Sequence, residues 1–596
     1  VAKPVFYDPT GNRRKWSSRT LILFVVALFG AMSVVALSVL SVATPSALPI
    51  TTEHNQPRPL RAQLNTIGHN VKRFGRAISA WLPAPRRGAE NVNQFIVGFY
   101  TPWDPDSRAS LVRHVNDLDW LVPVAANIVG PQHKLTPQPD THIDLILQAA
   151  AHRPQLLPLV QNVLHGVWDI NNTTALLHNK AARAHFIDQM SDLVVQQKGK
   201  GIVYDFEELP KSAMPDYVTL LRETRARFAP RGWLVTVTTP LNNPDWPLAA
   251  FGREADKVFL MIYDEHEDQS EPGPVASQSW FVDHMKAALG QISAEKAIVA
   301  IGAYGYRWHD GTADPMTIEE AWQAANESDT KPVFDKVSGN STYSYQENGS
   351  VYTVWMLDAA AAWNQLRAAD TQGVAGVAFW RLGQEDPGLW DILKKFQTRQ
   401  PPDISVIKTA GANLVDGNGE ILRVENKPLD GKRALTYDQD SIVRDEVFQT
   451  LPTPFVVRRM GDQPGSVALT FDDGPDARVT PKILDILEAK HAPATFFVIG
   501  ENALSHPALI NRIIASPSGS EIGNHSYWHP NMALLSDERI RFELNMTQRV
   551  VQAYSGHSMR LFRAPYFGDA EPTTNDELIP ATEAQDNGYT NVGLHV

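Results

Sequence analysis

Gly201-Ile202-Val203-Tyr204-Asp205-Phe206-Glu207-Glu208 is a short apolar run that ends abruptly in carboxylates. Such a run is the pattern of a strand buried on both faces whose last residues reach a polar rim. Similar runs flank it: Phe95–Tyr100, Trp120–Ala125, Gln155–Val160, Leu234–Thr238, Lys257–Ile262, Ala297–Ala303 and Val374–Phe379. Helical patterns lie between them, among them Ala182–Gln197, a stretch from Met214 onward, and Ser277–Leu289. This alternation over residues 91–398 predicts a (β/α)8 barrel. Functional groups in such a barrel gather where the strands end. Asp205 and Glu207 are two apart and point the same way if the strand continues through them. Neighbouring carboxylates push their pKa values apart, so one can hold a proton while the other orients a substrate. Tyr263 and Asp264 follow the sixth run; Trp380, Glu385 and Asp386 follow the last. Charged strand ends at an ordinary barrel rim account for the same pattern.

A second constellation begins at Ser466–Phe471, a strand pattern capped by Asp472-Asp473-Gly474-Pro475-Asp476. Adjacent carboxylates at a strand end point to different sides, so one is free to bind a metal while the other takes a proton from water. Pro481–Ala489 reads as a helix and Ala494–Ile499 as a strand. His525 and His529, in HSYWH, are four apart, and a helical turn there would place both imidazoles on one face. Two His and one Asp make a three-ligand site with room for water, which suits Zn²⁺ or a similar divalent ion. Arg563-Ala564-Pro565-Tyr566 brings a cation and a kinked backbone. Between the two regions, residues 399–465 read as a β-rich linker module without chemistry of its own.

The N-terminal part carries a different signal. Leu21–Val42 is 22 residues long and uncharged, enough to cross a hydrocarbon core of roughly 30 Å as a helix. Basic residues precede it, which predicts a cytoplasmic tail over residues 1–20, a transmembrane anchor over 21–42 and everything later outside the cytoplasmic membrane. Residues 43–90 form a connector in which Leu64, Ile67, Val71, Phe74, Ile78 and Trp81 recur at helical spacing.

Composition sets outer limits. With 54 Lys and Arg against 66 Asp and Glu, the formal net charge of the 596-residue chain is -12, which argues against a nucleic-acid partner. The chain has no cysteine, so disulfides, thiolate zinc sites and cysteine nucleophiles are excluded. Fifteen Trp and 15 Tyr supply flat faces that suit sugar rings as well as cores.

KGIVYDFEE, MIYD and GVAFWRLGQEDPGLW resemble the signatures of family 18 glycoside hydrolases, the chitinases and their relatives. The resemblance implies that Glu207 protonates the glycosidic oxygen, that Asp205 holds the substrate's N-acetyl group as it attacks the anomeric carbon, and that Tyr263 and Asp264 contact the acetamido sugar, with Trp380 on the substrate side. This is substrate-assisted hydrolysis without a protein nucleophile. The first signature Asp is Lys200 here and the middle one is Val203, so glycan binding without cleavage remains an alternative.

TFDDGPD, HSYWH and RAPY together resemble the NodB-type polysaccharide deacetylases, carbohydrate esterase family 4, over residues 466–596. That implies a distorted (β/α) barrel in which Asp472 is the catalytic base and Asp473, His525 and His529 bind the metal. It also implies that Arg563 braces the base and that the Tyr566 backbone N–H helps hold the oxyanion. Thr470 and Ser526 match supporting positions. The family's later Asp and Leu-x-His motifs are not in the sequence, so the resemblance implies a domain that continues past Val596, and His595 is not given the acid's role. The whole order resembles the front of bacterial envelope proteins that continue into a family 2 glycosyltransferase. The expected protein is an inner-membrane, metal-dependent N-deacetylase acting on an N-acetylhexosamine polysaccharide. A family 18 glycosidase, an anchored glycan-binding protein and the front of a bifunctional glycosyltransferase/deacetylase are the alternatives.

Overall fold

The computed structural model describes residues 81–593 except 90–91, 139, 141, 397–399, 410–412 and 567–574. Eight parallel strands close into a ring: β1 (Phe95–Tyr100), β2 (Trp120–Val129), β3 (Leu159–Gln161), β4 (Gly201–Asp205), β5 (Leu234–Pro240), β6 (Lys257–Met261), β7 (Ala297–Gly302) and β8 (Gly376–Trp380). β8 pairs with β1 and β1 with β2, so the barrel has no open edge. Every one of these strands lies on a run expected from the sequence, because strands covered by helices outside and packed side chains inside read as apolar throughout. The interior is filled: Phe99 of β1 meets Phe259 of β6 edge-on at 5.4 Å between ring centroids. Lys200 is exposed just before β4, at the opposite end of that strand from Asp205. Val203 is fully buried in mid-strand.

Between β7 and β8 the chain inserts antiparallel strands Gly305–His309, Thr312–Met316, Ser341–Glu347 and Ser350–Met356. Their sheet continues into Val443–Thr450, Gly431–Tyr437 and Val406–Ile407. Half of the expected linker module therefore completes a sheet of the barrel domain. It is fixed there by Arg433, fully buried, whose Nη1 lies 2.7 Å from Asp386 Oδ2 and 3.1 Å from Glu446 Oε1.

The other half joins the C-terminal domain. Asn413–Gly417, Phe455–Met460 and Ile421–Asn426 lie in one sheet with Thr590–Val592, Leu561–Phe562, Glu521–Asn524, Thr495–Val498 and Thr470–Gly474. The last five are mutually parallel, an open half-barrel, and Ile421–Asn426 adds antiparallel to Thr590–Val592. Helices Thr480–Lys490 and Asp537–Ser555 contribute Leu484, Ile540, Leu544 and Val551 to its core.

The expected membrane span is corrected. Among the described residues no helix is long and apolar enough to cross a membrane. The longest, Asp537–Ser555, has 19 residues and is studded with charge, from Asp537 and Glu538 through Arg539, Arg541 and Glu543 to Arg549. The segment that carried the expectation, residues 21–42, lies outside the described residues, as do the tail before it and most of the connector. An uncharged run meets the length requirement of a span without fixing where it packs. The structure supports neither an anchor through Leu21–Val42, nor the membrane as a partner, nor the inner-membrane location with a cytoplasmic N-terminus.

Candidate functional site

In the C-terminal domain the two adjacent aspartates diverge, as their position predicts. The strand Thr470–Gly474 carries a bulge after Phe471, and Asp473 adopts a left-handed φ of +67°. A bulge re-aims side chains at a strand end. Asp472 turns toward Arg563, whose Nη1 donates to its Oδ1 at 2.8 Å. Asp473 turns toward the histidines: its Oδ1 lies 3.4 Å from His525 Nε2 and 3.1 Å from His529 Nε2.

The histidines do not share a helical turn. HSYWH is a loop after Glu521–Asn524, with φ of +65° at Ser526 and +57° at His529. Left-handed non-glycine residues cost on the order of 1 kcal/mol each and persist only where surroundings enforce them. Here the buried Glu543 does so, its Oε2 accepting from the N–H groups of Tyr527 at 2.9 Å and Trp528 at 3.0 Å. Ser526 Oγ accepts from His529 N at 3.0 Å. Glu543 was not singled out in the sequence, because it acts through a helix 16 residues downstream.

Three donor atoms from Asp473, His525 and His529 lie within 4.8 Å of one another, a candidate metal site. Its chemistry fits a divalent cation. His525 Nδ1 lies 2.8 Å from the Arg563 carbonyl oxygen, so Nδ1 donates there and Nε2 is left as the free lone pair. Burial, with His525 beside it, lowers the His529 pKa, a direction that favours the neutral imidazole that ligation requires.

Arg563 is buried and holds four acceptors: Asp472 Oδ1, Thr470 Oγ1 at 2.9 Å, and the carbonyls of Gly593 at 2.6 Å and Val592 at 3.3 Å. Its guanidinium also lies over the Phe497 ring at 4.3 Å. Tyr566 is largely exposed, with φ of +55°, and its ring lies 4.8 Å from that of His529.

The barrel gathers its own group at the C-terminal strand ends. β4 stops at Asp205, and Glu207 follows it, partly open to solvent. Asn162, wholly buried after β3, grips the Glu207 peptide from both sides, its Oδ1 accepting from Glu207 N at 3.0 Å and its Nδ2 donating to Glu207 O at 3.2 Å. Thr238 Oγ1 donates to Asp205 Oδ1 at 2.6 Å. Asp264, at φ +60°, accepts from the hydroxyls of Tyr304 and of Tyr306, the latter at 3.1 Å. Tyr263 packs edge-on against Tyr304, and Trp380 ends β8 against Phe99. Burial first, then the charges of Asp205, Asp264 and Glu208, pushes Glu207 well above the ordinary carboxylate range. Burial raises Asp205 and Asp264 to about 6 each, against the opposing hydrogen bonds of Thr238 and of Tyr304 and Tyr306.

Glu385 and Asp386 do not belong to this group. Glu385 is tied down by Ser110 Oγ, by Gly383 N at 2.6 Å and by Trp390 Nε1 at 3.1 Å, and Asp386 by Arg433.

Comparison with known proteins agrees with this division. Residues 460–592 match the family of polysaccharide deacetylases and residues 163–385 the glycosyl hydrolases family 18. The chain thus carries a C-terminal NodB-like deacetylase domain preceded by a family-18-like domain. Among curated relatives, an uncharacterized glycosylase of Bacillus subtilis, YvbX, is 28% identical over 253 residues, 40% of this chain and 73% of that protein. A peptidoglycan-N-acetylglucosamine deacetylase of Bacillus cereus is 44% identical over 100 residues, 17% of this chain, and the match spans only 36% of that enzyme. Among solved structures, a chitinase from Chromobacterium violaceum matches with a TM-score of 0.48 at 22% identity, covering 52% of this chain and 100% of that one.

Proposed function

We propose that the protein hydrolyses the N-acetyl groups of an N-acetylglucosamine-containing polysaccharide or chitooligosaccharide at the C-terminal site, and that the barrel binds or cleaves the same glycan. The observation that carries this reading is the convergence of Asp473, His525 and His529 on one point, with a second carboxylate, Asp472, held apart from them by Arg563.

Asp473, His525 and His529 would hold one divalent ion, and their one-carboxylate, two-imidazole donor set suits Zn²⁺. Such an ion, when bound, polarises an acetamide carbonyl and acidifies water. The chain's own residues supply the rest. Asp472, oriented by Arg563, takes the proton of the attacking water. The Tyr566 N–H is assigned to the oxyanion that develops on the acetamide oxygen. The tyrosine's place beside His529 supports that assignment.

In the barrel, Glu207, pushed up by burial and the neighbouring carboxylates, is assigned as the acid that gives its proton to the glycosidic oxygen. Asp205 orients the acetamide, Tyr263 and Asp264 contact the acetamido sugar, and Trp380 offers the ring a flat face. The upward shift of Glu207 supports cleavage over mere binding, since burial and neighbouring carboxylates strengthen its hold on the proton that an acid must deliver.

Acetate release and chain shortening, measured together on N-acetylated chitooligosaccharides, separate the two activities. Asp472→Asn is expected to stop the first and Glu207→Gln the second. Chelator-resistant acetate release that survives Asp472→Asn would overturn the deacetylase assignment.

A further inference from the structure

We propose that Thr238 is a positioning residue of the barrel site, holding the Asp205 carboxylate in the role that an inner carboxylate at the position of Val203 would otherwise fill. The proposal rests on the reading that this site handles an N-acetylated glycan.

β4 and β5 pair Val203 with Thr236 and Tyr204 with Val237, which sets Thr238 beside Asp205. Thr236 and Thr238 lie on the same face of β5, two residues apart. Their hydroxyls do different things. Thr236 Oγ1 donates to a backbone carbonyl, that of Ile202, at 2.8 Å. Thr238 Oγ1 stands 3.3 Å from the equivalent carbonyl, Tyr204 O, but 2.6 Å from Asp205 Oδ1. A hydroxyl has one proton to give, and the shorter contact to a carboxylate takes it.

Nothing else among the described residues donates to the Asp205 side chain. The titratable groups that feel its charge are Glu207 on its own segment, Tyr217 on helix Met214–Phe228 and Tyr263 beyond β6, and none is a cation. Val203, fully buried one residue-pair before Asp205, offers it no polar atom. A buried carboxylate among acids, without a counter-cation, depends on neutral donors to remain ionised. Thr238 also fixes which oxygen is occupied. With Oδ1 engaged, Oδ2 is the atom left to accept the acetamide N–H of the substrate, so the hydroxyl sets the orientation of Asp205 as well as its charge.

The test uses the full chain and the variants Thr238→Val, Thr238→Ser and Glu207→Gln. Chain shortening and calorimetric binding of N-acetylchitotetraose are measured from pH 4 to pH 9, with melting temperature as the control for folding. Losing one hydrogen bond to a charged group should lower kcat about tenfold or more, with KM changed less than about twofold. The acid limb of the kcat profile should move to higher pH, and Thr238→Ser should restore both. A Thr238→Val variant that melts normally and keeps the wild-type kcat and acid limb overturns the proposal while leaving the barrel reading intact. If the barrel binds without cleaving, Thr238→Val should weaken tetramer binding about tenfold at pH 7, and unchanged binding overturns the proposal. A wild-type chain that neither binds nor shortens the tetramer overturns the barrel reading and this proposal with it.

Discussion

The backbone carbonyl of Arg563 lies 2.8 Å from His525 Nδ1, while the guanidinium of the same residue holds Asp472 at 2.8 Å. One residue therefore serves both halves of the C-terminal site. Its main chain fixes the tautomer of an imidazole in the candidate metal cluster, and its side chain orients the carboxylate assigned as the base.

These two roles are separable by mutation. Arg563→Ala keeps the carbonyl and removes the guanidinium. Metal content, measured by elemental analysis, is expected to stay at the wild-type stoichiometry, while acetate release falls by about 100-fold or more, the scale of a misplaced general base. Loss of the metal together with activity would show that the side chain also shapes the ligand loop.

Metal removal should divide the activities. Chelation is expected to stop acetate release, with recovery on adding Zn²⁺, and His529→Ala or Asp473→Ala should mimic it. Glu207-dependent chain shortening should continue through the same treatment, because the one candidate metal cluster among the described residues is in the other domain.

Gly201, the glycine of the β4 run, tests the barrel itself. A Cβ there would stand 2.2 Å from the Leu234 backbone oxygen and 2.7 Å from its nitrogen, so β4 and β5 pair this closely only without a side chain. Gly201→Ala should destabilise the protein by about 1–3 kcal/mol, the usual range for overpacking, seen as a lower denaturation midpoint. Because β4 and β5 carry Asp205 and Thr238, chain shortening should fall as well.

The sequence made some of these features legible and hid others for physical reasons. The barrel strands showed because double-sided burial leaves an apolar run with little alternation, and Asp472, Asp473, His525, His529 and Arg563 showed because they sit in compact local motifs. The spacing of four in HSYWH suits a helical turn, but the segment is a loop whose left-handed residues depend on Glu543 from a later helix. Asn162, Thr238, Tyr304 and Tyr306 were silent for the same reason: each acts on a partner from another strand or loop, and a lone Thr or Tyr in a strand carries no mark of that. The linker module looked self-contained because alternation identifies a strand without naming the sheet it will join.

Arg433 tests how that linker is held. It is fully buried against Asp386 and Glu446, with its Nε donating to Ile404 O at 2.7 Å. Removing one member of a buried ion cluster leaves the others uncompensated, at a cost of about 3–5 kcal/mol. Arg433→Met is expected to lower stability on that scale, read from denaturant unfolding. Adding Asp386→Asn should recover part of the loss, since one of the two stranded carboxylates is then neutral.

The barrel carboxylates give a pH dependence of stability with a definite sign. Asp205 and Asp264 are each raised to about 6 in the folded protein, chiefly by burial, against about 3.9 for an unfolded aspartate. Between those values the folded state binds more protons than the unfolded state, so stability falls as pH rises through the window and stays lower above it. A carboxyl raised from about 4 to about 6 corresponds to on the order of 3 kcal/mol above the window. Asp205→Asn keeps an oxygen for the Thr238 hydroxyl and has no charge to bury. It is therefore expected to melt higher than the wild type at pH 7.5, with the difference vanishing near pH 4, while chain shortening is lost. Asp264→Asn should behave alike, as the Tyr304 and Tyr306 hydroxyls still find an acceptor. Melting curves across pH 4–8 decide the matter: a variant no more stable than the wild type at pH 7.5 would mean that Asp205 is solvated well enough to ionise freely. The acetamide-orienting role would then need a different source of its poise.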